Sequence, residues 1–275
     1  MQYSVGFPLP EYRVKAFNNK AGSGNLIHDD EFARRYGFRS GLVPGSSIYA
    51  YMSRSFVDLF GGEWLERGFA EIRLIHPVYE GEELRVTGCI SSIGEDGTPT
   101  VDYQVINNLG ITCAAGVAHL PAQDPDGVPS IEDYPAGRPR RNRSISLEML
   151  NPGDPLAPIS SEFTWNIHWE YCQKSIRDHH PLYQDTLHPG WLLDQANLIL
   201  AANYDLPPWI HVASVVQKYR ALQKEAIVET RGRVHDKFER NGHHFIVLDL
   251  AVFAPTGCLE KIRHTAIFRI APRAA

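Results

Sequence analysis

A repeat constrains this chain more than any other feature of it. The dipeptides Pro44-Gly45 and Pro189-Gly190 stand 145 residues apart, and each opens a stretch with helical apolar spacing. After the first, Ile48, Tyr51, Met52, Ser55, Phe56, Leu59 and Phe60 fall at i, i+3, i+4, i+7, i+8, i+11 and i+12. After the second, Leu192, Leu193, Ala196, Ile199, Leu200 and Asn203 keep the same kind of spacing. Such a pattern predicts one broad helical face, mostly apolar. Strand-like runs follow both helices at nearly the same offset: "FAEIRLIHPVYEGEELRVTGCISSI", "TVDYQVINN" and "TCAAGVAHL" after the first; "IHVASVVQKYRALQKEAIVETRGRVHDKF", "HHFIVLDLAVFA" and "KIRHTAIFRI" after the second. The segments "EDGT" and "ERNG" read as turns between long antiparallel partners.

Each repeat is therefore a leading strand ("YRVKAF", "EFTWNIHW"), a helix and three or four long strands. A sheet wrapped around one apolar helix leaves edges and a face exposed, and a second copy can cover part of them. The expected class is α+β, two tandem units paired as a pseudo-dimer. With 275 residues, 43% of them hydrophobic, the chain can fill either one large core or two smaller ones. The stretch 121–143, rich in proline and mixed charge, has no apolar period and reads as a linker. The expected division is 1–122, a linker at 123–146, and 147–275.

Charge and cysteine usage exclude several classes. A net charge of -5 with both signs interspersed gives no footprint for nucleic acid or an anionic membrane. Apolar runs such as "WLLDQANLILAA" fall short of the ~20 residues a bilayer span needs. The start "MQYSVGFPLPEY" lacks the basic head and apolar middle of a secretion signal, so a cytoplasmic location is expected. Cys89, Cys113, Cys172 and Cys258 are widely separated with no C-x-x-C, as in a protein with reduced thiols. The pairs His179-His180 and His243-His244 lack metal-ligand spacing, and neighbours in a strand point to opposite faces, so neither a metal nor a cofactor is inferred.

The order of motifs resembles the double hot-dog, MaoC-like dehydratases and (R)-specific enoyl-CoA hydratases, whose signature reads approximately G-D-x-N-P-x-H-x-D, a short helix ending in G-F, and a P-x-A-H-G turn into the central helix. Here the same order is "GSGNLIHDD" from Gly22 to Asp30, "YGF" at Tyr36 to Phe38, and "GLVPGS" from Gly41 to Ser46, with Asn25, His28, Asp30, Gly37, Phe38 and Gly45 matching. The resemblance implies that His28 exchanges protons during water addition to an α,β-unsaturated thioester. It also implies that the Gly45 amide, at the positive end of its helix, receives the charge developing on the thioester oxygen.

The family's aspartate would fall at Ser23, and a serine hydroxyl is no carboxylate base near neutral pH. In "RDHHPLYQDTLHPG" the defect is reversed: Asp178, Pro181, Asp185 and Gly190 match, while Tyr183 takes the histidine position. Tyr183 precedes Gly190 by seven residues, against seventeen from His28 to Gly45, so the short helix "DEFARRYGF" has no counterpart there. That shortening implies an opened second half and chemistry in the first. The expected catalytic group is then His28 and Gly45, with Asn25 and Ser23 positioning a water or ordering the loop. Ser46, Asp178, Tyr183, Gly190 and Trp209 are the expected substrate contacts.

Plainer roles remain open for each residue. His28 could be a surface histidine beside a helix capped by Asp29 or Asp30. Gly45 could be a tight turn, Asp178 a buried pair partner, Tyr183 a core filler, and Trp209 and His211 packing residues at a strand entrance. The leading function is a hydratase or dehydratase acting on an acyl thioester of CoA or an acyl carrier protein, or on a related bulky unsaturated carbonyl compound. A non-catalytic binder of acyl thioesters or polyketide-like ligands is the alternative. Thioester hydrolysis, with Asp194 four residues after Gly190, ranks last. A homodimer of double units is a further expectation.

Overall fold

The computed structural model describes residues 3–271. In chain order the first half contains β1 (Tyr12–Lys15), α1 (Asp30–Arg35), α2 (Gly45–Phe60), α3 (Glu63–Arg67), β2 (Phe69–Leu74), β3 (Glu83–Ile93), β4 (Pro99–Asn107) and β5 (Thr112–His119). The remainder contains β6 (Arg140–Ser144), β7 (Ile159–Phe163), α4 (Trp165–Glu170), α5 (Pro189–Asn203), β8 (Tyr204–Asp205), β9 (Ile210–Lys218), β10 (Ala226–Arg240), β11 (His243–Ala254) and β12 (Gly257–Arg269).

Ten strands form one sheet in the order β1-β3-β4-β5-β2-β9-β12-β11-β10-β7. Read inward from either edge, equivalent strands of the two repeats follow in the same order, and the halves join where β2 runs antiparallel to β9 with Ile72 opposite Ser214. The sheet therefore has no free edge between the repeats. Every position on the two helical faces foreseen from spacing is buried, from Ile48 to Phe60 in α2 and from Leu192 to Asn203 in α5. Full burial of a side chain such as Phe56 or Ile199 contributes roughly 1.5–3 kcal/mol. The helices also pack on each other, so Tyr49, Ala50 and Ser53 are buried on a face the spacing did not mark. In β4 burial alternates with period two, and Asn241 and Gly242, both at positive φ, turn β10 into β11 as a two-residue hairpin.

Three expectations need correction. "EFTWNIHW" is a strand only to Phe163: the Thr164 hydroxyl accepts the Ile167 amide, caps α4, and starts a helix that runs on as a π-helix from Tyr171 to Ile176. The second half thus has a covering helix after all, placed before Asp178 instead of after it. The segment 123–146 is also more than a linker, because β6 pairs in parallel with β8 and Tyr134 is buried against Phe253. Arg231 donates to the Tyr134 carbonyl at 3.2 Å, tying this segment to β10. Its few apolar anchors are too sparse to leave a period in the sequence. Among the described residues no helix is long and apolar enough to cross a membrane.

Candidate active site

His28 ends a single 3-10 turn, Leu26–His28, capped by Asn25, whose Oδ1 accepts the Ile27 amide at 3.3 Å. The Asn25 carboxamide also spans the two halves, accepting from the Trp209 amide at 3.2 Å and donating to the Trp209 carbonyl at 2.9 Å. The turn is thereby fastened to the entrance of β9. His28 Nδ1 donates to the Leu42 carbonyl at 2.7 Å, which leaves the lone pair on Nε2. Burial is the main cause that moves its pKa below the ordinary histidine value, so the ring is neutral near pH 7.

Gly41 explains how residues far apart in the motif meet. A Cβ at this position would strike the His28 carbonyl, so only glycine lets the chain leading to α2 run against the histidine turn. Asp30 does not cap α1; its Oδ1 accepts the Gly41 amide at 2.9 Å and holds the same junction. The Leu42 amide, donating to the Ile27 carbonyl at 3.1 Å, completes it.

Helix α2 begins with the carbonyl of Pro44, which accepts from the Ser47 and Ile48 amides. Among the described residues the Gly45 and Ser46 amides have no acceptor. Two free donors at the positive end of a sixteen-residue helix suit a developing negative charge. A Cβ on Gly45 would collide with His211 Nδ1 and Leu74, so the His211 ring lies directly against the helix start. Burial brings the pKa of His211 down to about 4 despite the neighbouring Ala213 carbonyl and the Asp194 carboxylate.

His28, Gly45, His211 and Asn197 line one cavity of about 250 Å³, walled by apolar residues that include Leu74, Val78 and Ile267. Among its described lining residues there is no carboxylate. A second cavity of about 320 Å³ shares Asn25, His28, Asn197 and Trp209 and is otherwise more polar, with Lys20, Ser23, Arg141 and Asp194. His28 thus stands between an apolar and a polar chamber. Ser23 belongs only to the polar one and does not line the cavity of Gly45. Ser46 lines neither; its hydroxyl donates to Asp194 Oδ1 at 3.0 Å. Asp194 also receives Lys20 at 2.8 Å and Asn197 Nδ2 at 2.9 Å, and this one cation and the neutral donors outweigh its burial and keep its pKa below the usual carboxylate range. Asn197 Oδ1 is left buried without a partner.

The second half is arranged differently. Asp178, almost fully buried, is paired with Arg54 of α2 at 2.7 Å and accepts the His180 amide at 3.0 Å. Its other oxygen faces His188 Nε2 at 3.5 Å. Burial works to raise the Asp178 pKa, but His188, the His180 amide and Arg54 together leave it low. His188 Nδ1 accepts the Gly190 amide at 3.0 Å, so the donor equivalent to that of Gly45 is already occupied. A Cβ on Gly190 would meet Ala50 Cβ and the Tyr171 hydroxyl, each at 2.5 Å. The space before α5 is filled by Tyr171, Tyr183 and His188, with the His188 ring in contact with both tyrosine rings. Among the described residues no opening remains directly in front of α5. Asp178 and Tyr183 line a separate groove with His168 and Cys172, and Trp209 is the one expected substrate contact that reaches the His28 cavity.

No protein-family model and no curated protein sequence matches the chain. Solved structures do. One from Chloroflexus aurantiacus, described as a MaoC-domain dehydratase, is 11% identical, with 97% of this chain and 96% of that one covered at a TM-score of 0.64. A Mycobacterium tuberculosis protein with a double hotdog fold is 12% identical, with 96% of each chain covered at a TM-score of 0.65. The chain has the double hot-dog fold. An acyl-CoA thioesterase II of Mycobacterium marinum shares this double hot-dog architecture at 11% identity and a TM-score of 0.55, with 86% of this chain and 92% of that one covered. The fold accordingly carries more than one activity among these structures, and it does not by itself choose one for this chain.

Within this double hot-dog, His188 and Asn197 occupy no matched motif position of the sequence, and His211, with packing as its default role there, takes the alternative of lining the cavity. Their signal is tertiary: His211 and Asn197 belong to the second half yet complete the first-half cavity. His188 immediately precedes Pro189, and that place in the chain could have marked it as a helix cap.

Proposed function

We propose that this protein adds water to, or removes it from, the α,β double bond of an acyl thioester, using the first-half cavity. The observation that carries the reading is the meeting of an unprotonated His28 Nε2 and Gly45, whose amide is free at the start of α2, on one apolar cavity. In the hydration direction, His28 Nε2 takes a proton from water as the hydroxyl oxygen bonds to Cβ, and the electron pair of the double bond moves onto the thioester oxygen. The Gly45 amide stabilises that oxygen. The enolate then collapses as Cα takes the proton back from the His28 imidazolium, so one imidazole serves both transfers and the atoms balance. Asn197 Oδ1, unpartnered, is suited to accept the second water hydrogen, a place the family's carboxylate would otherwise fill. The apolar chamber suits a short acyl group, and the polar one, with Lys20 and Arg141, suits a phosphate-bearing carrier arm of CoA or an acyl carrier protein.

The absence of a carboxylate among the described residues of the cavity favours a second reading, a binder of acyl thioesters without turnover. Hydrolysis is disfavoured because Asp194 is bound by Lys20, Ser46 and Asn197 and does not line the apolar cavity. The deciding experiment follows the absorbance of crotonyl-CoA and of longer or branched enoyl-CoAs on incubation with the protein. Loss of the conjugated thioester that stops with His28→Ala is the expected result. Acyl-CoA binding without turnover would establish the binder instead.

A further inference from the structure

Three buried side chains near the cavity are unused by the scheme above. His211 Nε2 lies 2.8 Å from Ser214 Oγ, and Ser214 Oγ lies 3.1 Å from His264 Nδ1. His211 is 6% exposed, Ser214 1% and His264 0%. In a regular strand residues three apart point to opposite faces, so His211 and Ser214 should not meet. They meet because β9 bulges: His211 opposes Ala266 and Ala213 opposes Thr265, leaving Val212 as an extra residue that turns the histidine to the face of Ser214.

The hydroxyl between the two rings has one proton to give, so the proton positions in this chain are linked. His264 Nε2 is buried with no partner. Either direction of the chain leaves one ring N–H without a protein acceptor, at His264 Nε2 or at His211 Nδ1, and only His211 lines the cavity, where a bound carbonyl can accept it, so His264 Nε2 is the nitrogen left bare. His264 then carries its proton on Nδ1 and donates to Ser214, and Ser214 donates to His211 Nε2. That leaves the proton of His211 on Nδ1. This nitrogen is also buried without a protein partner, and it is the atom that abuts Gly45 at the start of α2.

We propose that His211, held with its proton on Nδ1 by Ser214 and His264, is a neutral hydrogen-bond donor that joins the Gly45 amide in binding the thioester oxygen. The proposal rests on the thioester reading and adds to it a side-chain member of the oxyanion site. Neutrality is built in, because burial keeps the pKa of His211 at about 4 and that of His264 well below the ordinary histidine value. A neutral imidazole can polarise a carbonyl without giving up its proton as the oxyanion forms. The same contact explains why position 45 must be glycine: the imidazole occupies the space a Cβ would take.

The test uses the full chain and two readouts. Nitrogen-15 NMR of labelled histidine between pH 6 and 8 should find His211 protonated on Nδ1 and bare on Nε2, with Ser214→Ala releasing that preference; an Nε2–H tautomer or a cationic ring overturns the proposal. The second readout is the red shift of 2,4-hexadienoyl-CoA bound to His28→Ala, which reports carbonyl polarisation without turnover. The shift should be lost on adding His211→Phe and largely kept on adding His211→Gln, whose amide restores a donor. In the otherwise native chain, His211→Phe should lower kcat by roughly 10²–10³-fold with KM little changed, as for removal of one oxyanion donor. Dienoyl-CoA that binds with the same shift in both double variants overturns the role of His211 alone. Failure of the dienoyl-CoA to bind His28→Ala or the native chain overturns the thioester reading and this proposal with it.

Discussion

The starts of the two central helices, Gly45 and Gly190, are equivalent positions of one repeat with opposite fates. At Gly45 the first amides are free, the neighbouring ring is a histidine with an unpartnered nitrogen, and a cavity lies in front. At Gly190 the amide is taken by His188 Nδ1, and Tyr171, Tyr183 and Ala50 fill the space. Both positions need glycine, for different reasons: the first keeps a donor beside a ring and a cavity, the second permits dense packing. A glycine that opens an apolar helix is thus no sign of a site until its amide is shown to be free. Duplication lets one half hold the assembly together while the other keeps its cavity, and the second half further contributes Asn197, Trp209 and His211 to the wall of the first.

The largest test of this asymmetry is His28→Ala, which should reduce hydration of an enoyl-CoA by ~10³-fold, the scale of a lost acid-base group, in a steady-state absorbance assay. Asp178→Asn should leave the rate per folded molecule unchanged; equal losses in the two variants would break the comparison. Next come the glycines. Gly45→Ala and Gly190→Ala should each destabilise by about 1–3 kcal/mol in urea titration, because both force a methyl into occupied space. Only Gly45→Ala should also lower kcat of the folded fraction, roughly 10-fold or more, by displacing the oxyanion donors.

A pH series sharpens the same contrast. The rate should fall as His28 protonates, with a midpoint below 6.5 because burial depresses its pKa. Stability should fall in the same direction. His168 and His211 titrate near 4 in the folded protein against 6.5 for an unperturbed imidazole, so the unfolded chain binds more protons between those values. Their contribution is complete above pH 6.5 and is lost as pH falls through 4, which urea midpoints at pH 7, 5.5 and 4.5 would record. Smaller still is His188→Ala, which removes the cap of α5 and should lower stability by about 1–2 kcal/mol without changing the rate. The smallest effect is expected from Ser23→Ala, within about twofold in rate, because Ser23 lies outside the cavity of Gly45.

The repeated helix and strand pattern was legible because burial enforces periodicity: the faces of α2 and α5, and the alternation in β4, are written residue by residue. The motif carrying His28 stood out through its resemblance to a known family, whereas the glycine opening α2 was marked by the repeat. α4 was not legible, because the aromatic residues of "WNIHW" favour a strand as much as a helix, and the Thr164 cap decided between them. The segment 123–146 carried too few apolar anchors to announce its docking.

What the amino-acid order determined by itself was therefore a duplicated α+β chain and the short-range motif that sets His28 and Gly45 seventeen residues apart. Only the tertiary structure decided which helix start stays open, because that depends on side chains arriving from distant strands and helices: His211 through a bulge in β9, Asn197 from α5, and Tyr171 against Gly190. Local spacing encodes which face of an element is buried. It does not encode which partner side chain comes to occupy the space in front of it, and that occupancy separates a cavity from a core.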